Sequence, residues 1–158
     1  MLLEGSCHCG AVKFTVQSHE PVPFMRCYCS ICRKTAGTAG FAINLGAEHR
    51  TLQVTGRENL AVYQARLDEH QRSTGERNFC KLCGTALWLY DPTWPELVHP
   101  FASAVDTELP VPPATTHLML KFKPAWVTPQ IGADDLMFDL YPQESIEDWH
   151  RRHGLWVD

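Results

Sequence analysis

The chain has 158 residues, a length typical of one domain, and 44% of them are hydrophobic, which is enough for an ordinary core. Its formal net charge is −4 at pH 7, and metal-bound thiolates would add further negative charge, so this balance argues against a nucleic-acid partner. We expect no signal peptide, because the start lacks a basic region followed by an apolar run, and we find no apolar stretch long enough to cross a bilayer. We therefore expect a cytoplasmic protein with reduced thiols and no membrane partner.

Short strands dominate the elements that the sequence predicts. Val12, Phe14 and Val16 alternate with polar residues, which places the apolar side chains on one face of a strand. Shorter strands are predicted at 41–45, 51–55, 60–64 and 86–90, with Gly46, Gly56 and Gly75 as breaks near them. The same alternation predicts a last strand over 118–122, so the fold class is mostly β.

A proline-rich segment follows the predicted strand at 86–90. Eight prolines lie between residues 91 and 129, and proline lacks the amide donor that a strand interior needs. We expect loops and edge strands wrapped over a sheet. The alternative for this segment is one wall of a ligand pocket.

A short C-terminal helix is predicted at about 145–153. Ser145 can cap its start, acidic residues occupy its first turn, and the basic run 150–153 precedes Gly154. Trp149 would face either the body of the chain or a second subunit, which leaves the oligomeric state open.

All seven cysteines fall into three tight groups, and such clustering favours metal over disulfide in a reducing compartment. Cys7 and Cys9 can point to one face of a strand, and Cys80 and Cys83 have the spacing of a knuckle turn that Gly84 would permit. Together they form the four-cysteine cluster, predicted to be a closed structural zinc site. The alternative is that some of them are inert buried cysteines.

Cys27, Cys29 and Cys32 form the cysteine triplet. Three thiolates from one loop can hold zinc with one position open for water or substrate. The alternatives are a structural site completed by another ligand, or a redox-active dithiol at Cys29 and Cys32. A short helical turn is predicted after Cys32.

Basic residues flank the cysteine triplet. Arg26 precedes it, while Arg33 and Lys34 follow it and are candidates for binding an anionic substrate. A solvated cationic face is the alternative. His99 and His117 are weaker candidates that could approach the second metal.

Three cysteine-containing segments together resemble a known family. They are Cys7-His8-Cys9-Gly10, the run from Cys27 to Lys34, and the run from Phe79 to Thr85, with Gly37, Gly56, Leu60 and Tyr63 also matching. In this order they resemble the glutathione-dependent formaldehyde-activating enzyme family, which also includes centromere protein V. The resemblance covers most of residues 5–125, and Tyr28 stands where many members carry histidine.

The resemblance implies a β-tent fold like that of a Rab guanine-exchange factor, here one zinc-binding domain over residues 1–158. It also implies a structural zinc on the four-cysteine cluster and a labile second zinc on the triplet. The implied activity is that of a carbon–sulfur lyase written in reverse, which joins glutathione and formaldehyde into S-hydroxymethylglutathione.

Function can then be stated as three hypotheses. The first is a zinc enzyme acting on small aldehyde or thiol conjugates, with the cysteine triplet as its catalytic ligand set. The second is a non-catalytic structural or interaction module. The third is a thiol redox or metal-sensing protein, which predicts reversible disulfide formation within the triplet.

Overall fold

The computed structural model describes residues 1–156, and its regular secondary structure is mainly short strands. The strands are β1 Leu2–Ser6, β2 Lys13–Gln17, β3 Phe24–Cys27, β4 Ala42–Asn44, β5 Ala47–Glu48, β6 Gln53–Thr55, β7 Leu60–Arg66, β8 Arg72–Cys80, β9 Ala86–Tyr90, β10 Leu97–Pro100, β11 Thr115–Leu118 and β12 Leu136–Met137. The α-helices are α1 Ser30–Ala36 and α2 Ile146–Arg152. Short 3-10 turns lie at His49–Thr51, Arg57–Asn59, Ala102–Ala104 and Leu120–Phe122. Among the described residues, no helix is long and apolar enough to cross a membrane.

The strands form three sheets. A three-stranded sheet has the order β1-β2-β6, a five-stranded sheet β5-β10-β9-β8-β7, and a four-stranded sheet β12-β11-β3-β4. In the last sheet β11 runs parallel to both β3 and β12, while every other pairing is antiparallel among the named strands.

One apolar cluster joins the three-stranded and five-stranded sheets. Phe14 of β2 meets Trp88 of β9 edge to face, with ring centroids 5.4 Å apart. The Phe14 ring also covers Gly5 of β1, where an added Cβ would lie 2.3 Å from it. The pairing of β8 and β9 is irregular after Asn78, so Leu87 and Trp88 are both buried in this cluster.

A second apolar cluster connects the four-stranded sheet to the five-stranded one. Its buried members are Cys27, Cys32, Ala42, Phe101 and Leu118, and Leu89 of β9 packs against them. The cysteine triplet therefore lies between two sheets, within the interior of the fold.

Most of the predicted strands are confirmed, although several bounds differ. The strand predicted at 86–90 is β9, and the alternation of Val12, Phe14 and Val16 belongs to β2 and the residue before it. The strands predicted at 41–45, 51–55 and 60–64 correspond to β4, β6 and β7.

Three expectations about strands are wrong. The strand predicted over 118–122 ends at Leu118, because Met119 takes a left-handed conformation with φ 61° and a 3-10 turn follows. Gly75 is no break, since β8 continues through it. The proline-rich segment contributes interior strands as well as loops, because β10 and β11 each have a neighbour on both sides.

The C-terminal helix forms where it is predicted. The Ser145 side chain accepts a hydrogen bond from the Asp148 amide, and Gly154 follows the helix at φ 68°. Trp149 is buried against the body of the chain and stacks on His153, with ring centroids 3.9 Å apart.

We expect Trp149→Ala to lower the free energy of unfolding by about 3 kcal/mol, because it removes a large buried side chain and leaves a cavity. Thermal unfolding followed by circular dichroism measures this loss. Trp94→Ala is the matched control, since the Trp94 side chain is largely exposed. An unchanged melting temperature in Trp149→Ala would show that α2 adds nothing to the stability of the fold.

Candidate metal centres

The four-cysteine cluster brings together sulfur atoms from two distant segments. The Sγ atom of Cys9 lies 3.5 Å from that of Cys7 and 3.8 Å from that of Cys80, and all four sulfurs, including that of Cys83, lie within 4.8 Å of one another. A tetrahedral ion with metal–sulfur bonds near 2.3 Å would hold sulfurs about 3.8 Å apart. The cluster therefore fits a metal ion.

Two turns carry these four cysteines. The strand prediction for Cys7 and Cys9 is wrong: β1 ends before them, and residues 7–10 form a turn in which the Gly10 amide donates to the Cys7 carbonyl at 2.9 Å. In a strand, Cα atoms two residues apart are separated by about 7 Å, whereas the turn brings the two sulfurs close together. The knuckle turn from Cys80 is confirmed, with Gly84 at φ 76°.

Hydrogen bonds to sulfur favour the thiolate form at two residues of this cluster, Cys7 and Cys83. The Val12 amide donates to Cys7 Sγ at 3.2 Å, and the Thr85 hydroxyl oxygen lies 3.2 Å from Cys83 Sγ. Hydrogen bonds from Thr85, and then from the Cys9 amide, lower the pKa of Cys83 to about 5. Thiolate is the form that binds metal, so these contacts prepare Cys7 and Cys83 as ligands.

The cysteine triplet is built from the end of β3 and the start of α1. Cys27 is the last residue of β3, and Cys29 caps α1, where its sulfur accepts a hydrogen bond from the Cys32 amide at 3.3 Å. The helical turn predicted after Cys32 thus begins before it, at Ser30. The three sulfurs lie within 4.8 Å of one another and could hold a second metal ion.

Burial leaves the triplet accessible from one side. Cys27 and Cys32 are buried, whereas Cys29 is only partly buried. Hydrogen bonds from the other two thiols lower the pKa of Cys29 far below its usual range, and those with Cys29 and Cys32 raise the pKa of Cys27. Cys29 therefore carries negative charge most readily, on the side that solvent can reach.

Arg77 is the positive group in contact with the triplet. Its Nη2 atom lies 4.0 Å from Cys32 Sγ, the residue is only 8% exposed, and no salt bridge involves it within residues 1–156. A buried charge is costly unless it is compensated, so we assign the triplet thiolates as its counter-charge.

Sequence reasoning missed Arg77 because β8 carries few apolar residues. The sequence signal for its position is the spacing from Cys80, which Arg77 precedes by three residues. An odd spacing in a strand directs two side chains to opposite faces. Consequently one strand serves both centres, with Arg77 at the triplet and Cys80 in the four-cysteine cluster.

The basic residues that the sequence singled out lie next to the triplet in the chain, but within residues 1–156 they make no hydrogen bond to its sulfurs. Lys34 is exposed on α1, and Arg33 is half-buried on the same helix. The guanidinium of Arg26 lies 5.2 Å from the centroid of the Phe41 ring. The Nε atoms of Arg26, Arg33 and Arg77 are all buried without a hydrogen-bond partner in the described part of the chain.

The hydrogen bonds described for the two candidate histidines go to groups other than the triplet sulfurs. His99 has its Nδ1 atom 3.1 Å from the Leu45 carbonyl oxygen, and burial lowers the pKa of His99. In the five-stranded sheet His99 pairs with Leu89 of β9, and Leu89 pairs with Arg77 of β8. His117 is fully buried in β11 and bonds to other side chains. Neither joins a group of potential metal ligands among residues 1–156.

We expect Arg77→Gln to lower the rate at which iodoacetate, relative to neutral iodoacetamide, alkylates Cys29. A nearby unit charge changes the energy of an approaching anion by about 1 kcal/mol in water, so the ratio should fall about fivefold. Peptide mass spectrometry of the mildly chelated protein measures it. Lys34→Gln should change the ratio less, because an exposed charge is screened; equal ratios in wild type and Arg77→Gln would contradict the assignment of Arg77.

Two surface cavities lie beside α2 and away from both cysteine groups. One, of about 640 Å³, is lined by residues that include Glu48 and Arg151, and the other, of about 410 Å³, includes Trp94. No described cysteine lines either cavity. Both cavities are therefore separate from the cysteine groups.

The fold and these two groups of thiols define a mostly β protein with two cysteine clusters that could each bind a metal ion. The model of the family described as glutathione-dependent formaldehyde-activating enzyme matches residues 2–121, and the chain belongs to this family.

The chain is also similar to individual proteins, one compared by sequence and one by structure. A protein of Halomonas elongata, provisionally named glutathione-dependent formaldehyde-activating enzyme, is 59% identical over 155 residues, which cover 98% of each chain. A crystal structure of a Rhodobacter sphaeroides protein is similar with a TM-score of 0.55 and 31% identity, over 69% of this chain and 97% of that one.

Proposed function

We propose that this protein is a zinc enzyme that joins a small thiol to an aldehyde, with glutathione and formaldehyde as the substrates. In this reaction a carbon–sulfur bond forms between the thiol and the carbonyl carbon, and the thiol proton ends on the carbonyl oxygen. The reverse reaction is that of a carbon–sulfur lyase. The observation that carries the proposal is the cysteine triplet, three close sulfurs with one side accessible, in a chain of this family.

The proposal assigns zinc to both cysteine groups. The four-cysteine cluster, Cys7, Cys9, Cys80 and Cys83, would hold a structural zinc, and the triplet, Cys27, Cys29 and Cys32, a labile one. Sulfur-only ligands at tetrahedral spacing suit zinc. When bound at the triplet, zinc supplies a Lewis acid that favours the thiolate form of an incoming thiol and polarises a carbonyl.

The residues around the triplet would prepare this chemistry. Cys27 and Cys32 are buried and fix two ligand positions, while the partly exposed Cys29 borders the side from which substrate approaches. Arg77 compensates negative charge on the thiolates, and Leu89 adds an apolar wall that keeps water away. Holding two reactants together in this way makes their union effectively intramolecular.

Arg33 and Lys34 are our proposed contacts for the carboxylates of an anionic thiol. Both lie on α1 directly after the triplet, where Lys34 is free to reach solvent. Guanidinium and ammonium groups are suitable donors to carboxylates.

The wider proposal concerns fold, domain and location. We propose one zinc-binding domain over residues 1–158 with the β-tent fold of the family, acting in the cytoplasm on small molecules without nucleic acid. Seven free cysteines suit a reducing compartment. The net charge of −4 disfavours binding to phosphate backbones.

The test is acceleration of adduct formation from glutathione and formaldehyde. Two-zinc protein is added to the equilibrated mixture, and NMR exchange spectroscopy gives the rate of interconversion above the spontaneous rate. We expect the rate to rise in proportion to protein concentration and to fall to the spontaneous value after mild chelation. No acceleration by the two-zinc protein, at any concentration, would refute the proposed reaction.

A further inference from the structure

A chain of three hydrogen-bonded side chains, two of them fully buried, begins between two cysteines of the triplet. The Tyr28 hydroxyl lies 2.8 Å from Nδ1 of His117, and Nε2 of His117 lies 3.0 Å from Oδ2 of Asp135. Tyr28 and His117 are both 0% exposed. The chain of hydrogen bonds therefore links the triplet loop, β11 and the segment before β12 through the interior.

The far end of this chain is firmly held. Oδ1 of Asp135 accepts from the Thr115 amide at 2.7 Å, and Oδ2 accepts from the Gly132 amide at 2.9 Å. Burial alone would raise the pKa of Asp135, but the hydrogen bonds from Gly132, Thr115 and His117 lower it, so the carboxyl is ionised.

The ionised carboxylate sets the direction of the hydrogen bond between His117 and Asp135. A carboxylate only accepts, so Nε2 of His117 carries the hydrogen that it donates to Asp135. When the ring is neutral, Nδ1 is an acceptor to which the Tyr28 hydroxyl donates. Every member of the chain is satisfied, as a buried polar network requires.

Tyr28 also fixes the backbone that carries the triplet. Its amide donates to the Leu118 carbonyl at 3.0 Å, and its ring lies 5.3 Å from that of Phe41. Because Tyr28 directly joins Cys27 to Cys29, the position of its ring restricts where these two sulfurs can point.

We propose that Tyr28, His117 and Asp135 are positioning residues that set the metal affinity of the cysteine triplet. They touch neither substrate nor metal; they hold Cys27 and Cys29 in the arrangement that an ion needs. Partners behind a ligand set change metal affinity by about 10- to 100-fold when they are removed. The inference rests on the proposed second metal site, although it does not require turnover.

The alternative is that the chain only stabilises the fold, as buried hydrogen bonds commonly do. The two possibilities differ in what they predict for the two metal centres. A structural role lowers the melting temperature and leaves the affinities of both centres unchanged. A positioning role weakens the triplet selectively.

The experiment is a competition between the protein and a chromophoric chelator for Co²⁺ and Zn²⁺, in wild type, Tyr28→Phe and Asp135→Asn. Tyr28→Phe keeps the ring and removes only the hydroxyl. Tyr63→Phe is the matched control, because Tyr63 is exposed on β7. Thermal unfolding of each variant is measured alongside.

We expect both variants to bind metal at the triplet at least about tenfold more weakly, with the four-cysteine cluster unchanged. A double variant that combines Tyr28→Phe with Asp135→Asn should bind metal at the triplet only slightly more weakly than the weaker-binding single variant. The effects of substitutions within one hydrogen-bond network are not additive. Triplet affinity within twofold of wild type in both single variants, or a wild-type triplet that binds no metal, would overturn the inference. A triplet that binds metal without turnover would refute the proposed reaction alone.

Discussion

Cys80→Ser should deprive the chain of its stable fold. Cys80 is 0% exposed, ends β8 and belongs to the apolar cluster between two sheets. The substitution removes one thiolate of the four-cysteine cluster and leaves a buried hydroxyl in its place. Structural zinc contributes about 10–16 kcal/mol in small zinc domains, which matches or exceeds the usual 5–15 kcal/mol stability of a whole domain.

Circular dichroism and zinc content of the purified variant measure this effect. We expect aggregation, or a melting temperature lower by more than about 10 °C if the apolar cores hold part of the structure. Cys29→Ser serves as the control, because it changes a cysteine outside this cluster. A Cys80→Ser protein that melts like wild type would show that the four-cysteine cluster does not support the fold.

Cys29→Ser should abolish the proposed activity while the protein stays folded. Serine is a favourable helix cap, so its hydroxyl can replace the Cys29 sulfur as acceptor for the Cys32 amide. The exchange therefore costs α1 little, whereas the triplet loses the ligand that borders solvent. Loss of one ligand from a three-ligand site should lower the rate of adduct formation by more than about 100-fold, which exceeds the usual effect of an outer partner.

The comparison requires equal concentrations of wild type and variant and a melting temperature within a few degrees of wild type. Ser30→Ala is a suitable control, since Ser30 is exposed next to the same loop. If Cys29→Ser accelerates the reaction as well as wild type, the triplet is not the site of the chemistry.

The cysteine spacing was sufficient to predict both candidate centres. Cysteines two or three residues apart can direct their sulfurs to one metal ion from a local turn or from one face of a strand. Their spacing alone therefore identifies the four-cysteine cluster and the cysteine triplet. The spacing does not determine the local conformation: it favours a strand for Cys7 and Cys9, and the structure places them in a turn.

Long-range contacts between side chains could not be predicted, even where one partner, such as His117, was already a candidate. Tyr28 and His117 are 89 positions apart, and only the parallel pairing of β3 and β11 brings them together. Arg77 stands in a strand with little apolar periodicity, so neither its strand nor its burial was visible. At Met119, backbone bonding to Leu140 replaces the strand that alternation favoured.

Zinc per chain, measured by elemental analysis before and after mild chelation, tests the central claim most directly. The two-centre account predicts two zinc ions per chain, of which chelation removes one while circular dichroism shows an intact fold. A single zinc that resists chelation, with three titratable thiols left over, would contradict it and favour the redox hypothesis for the cysteine triplet.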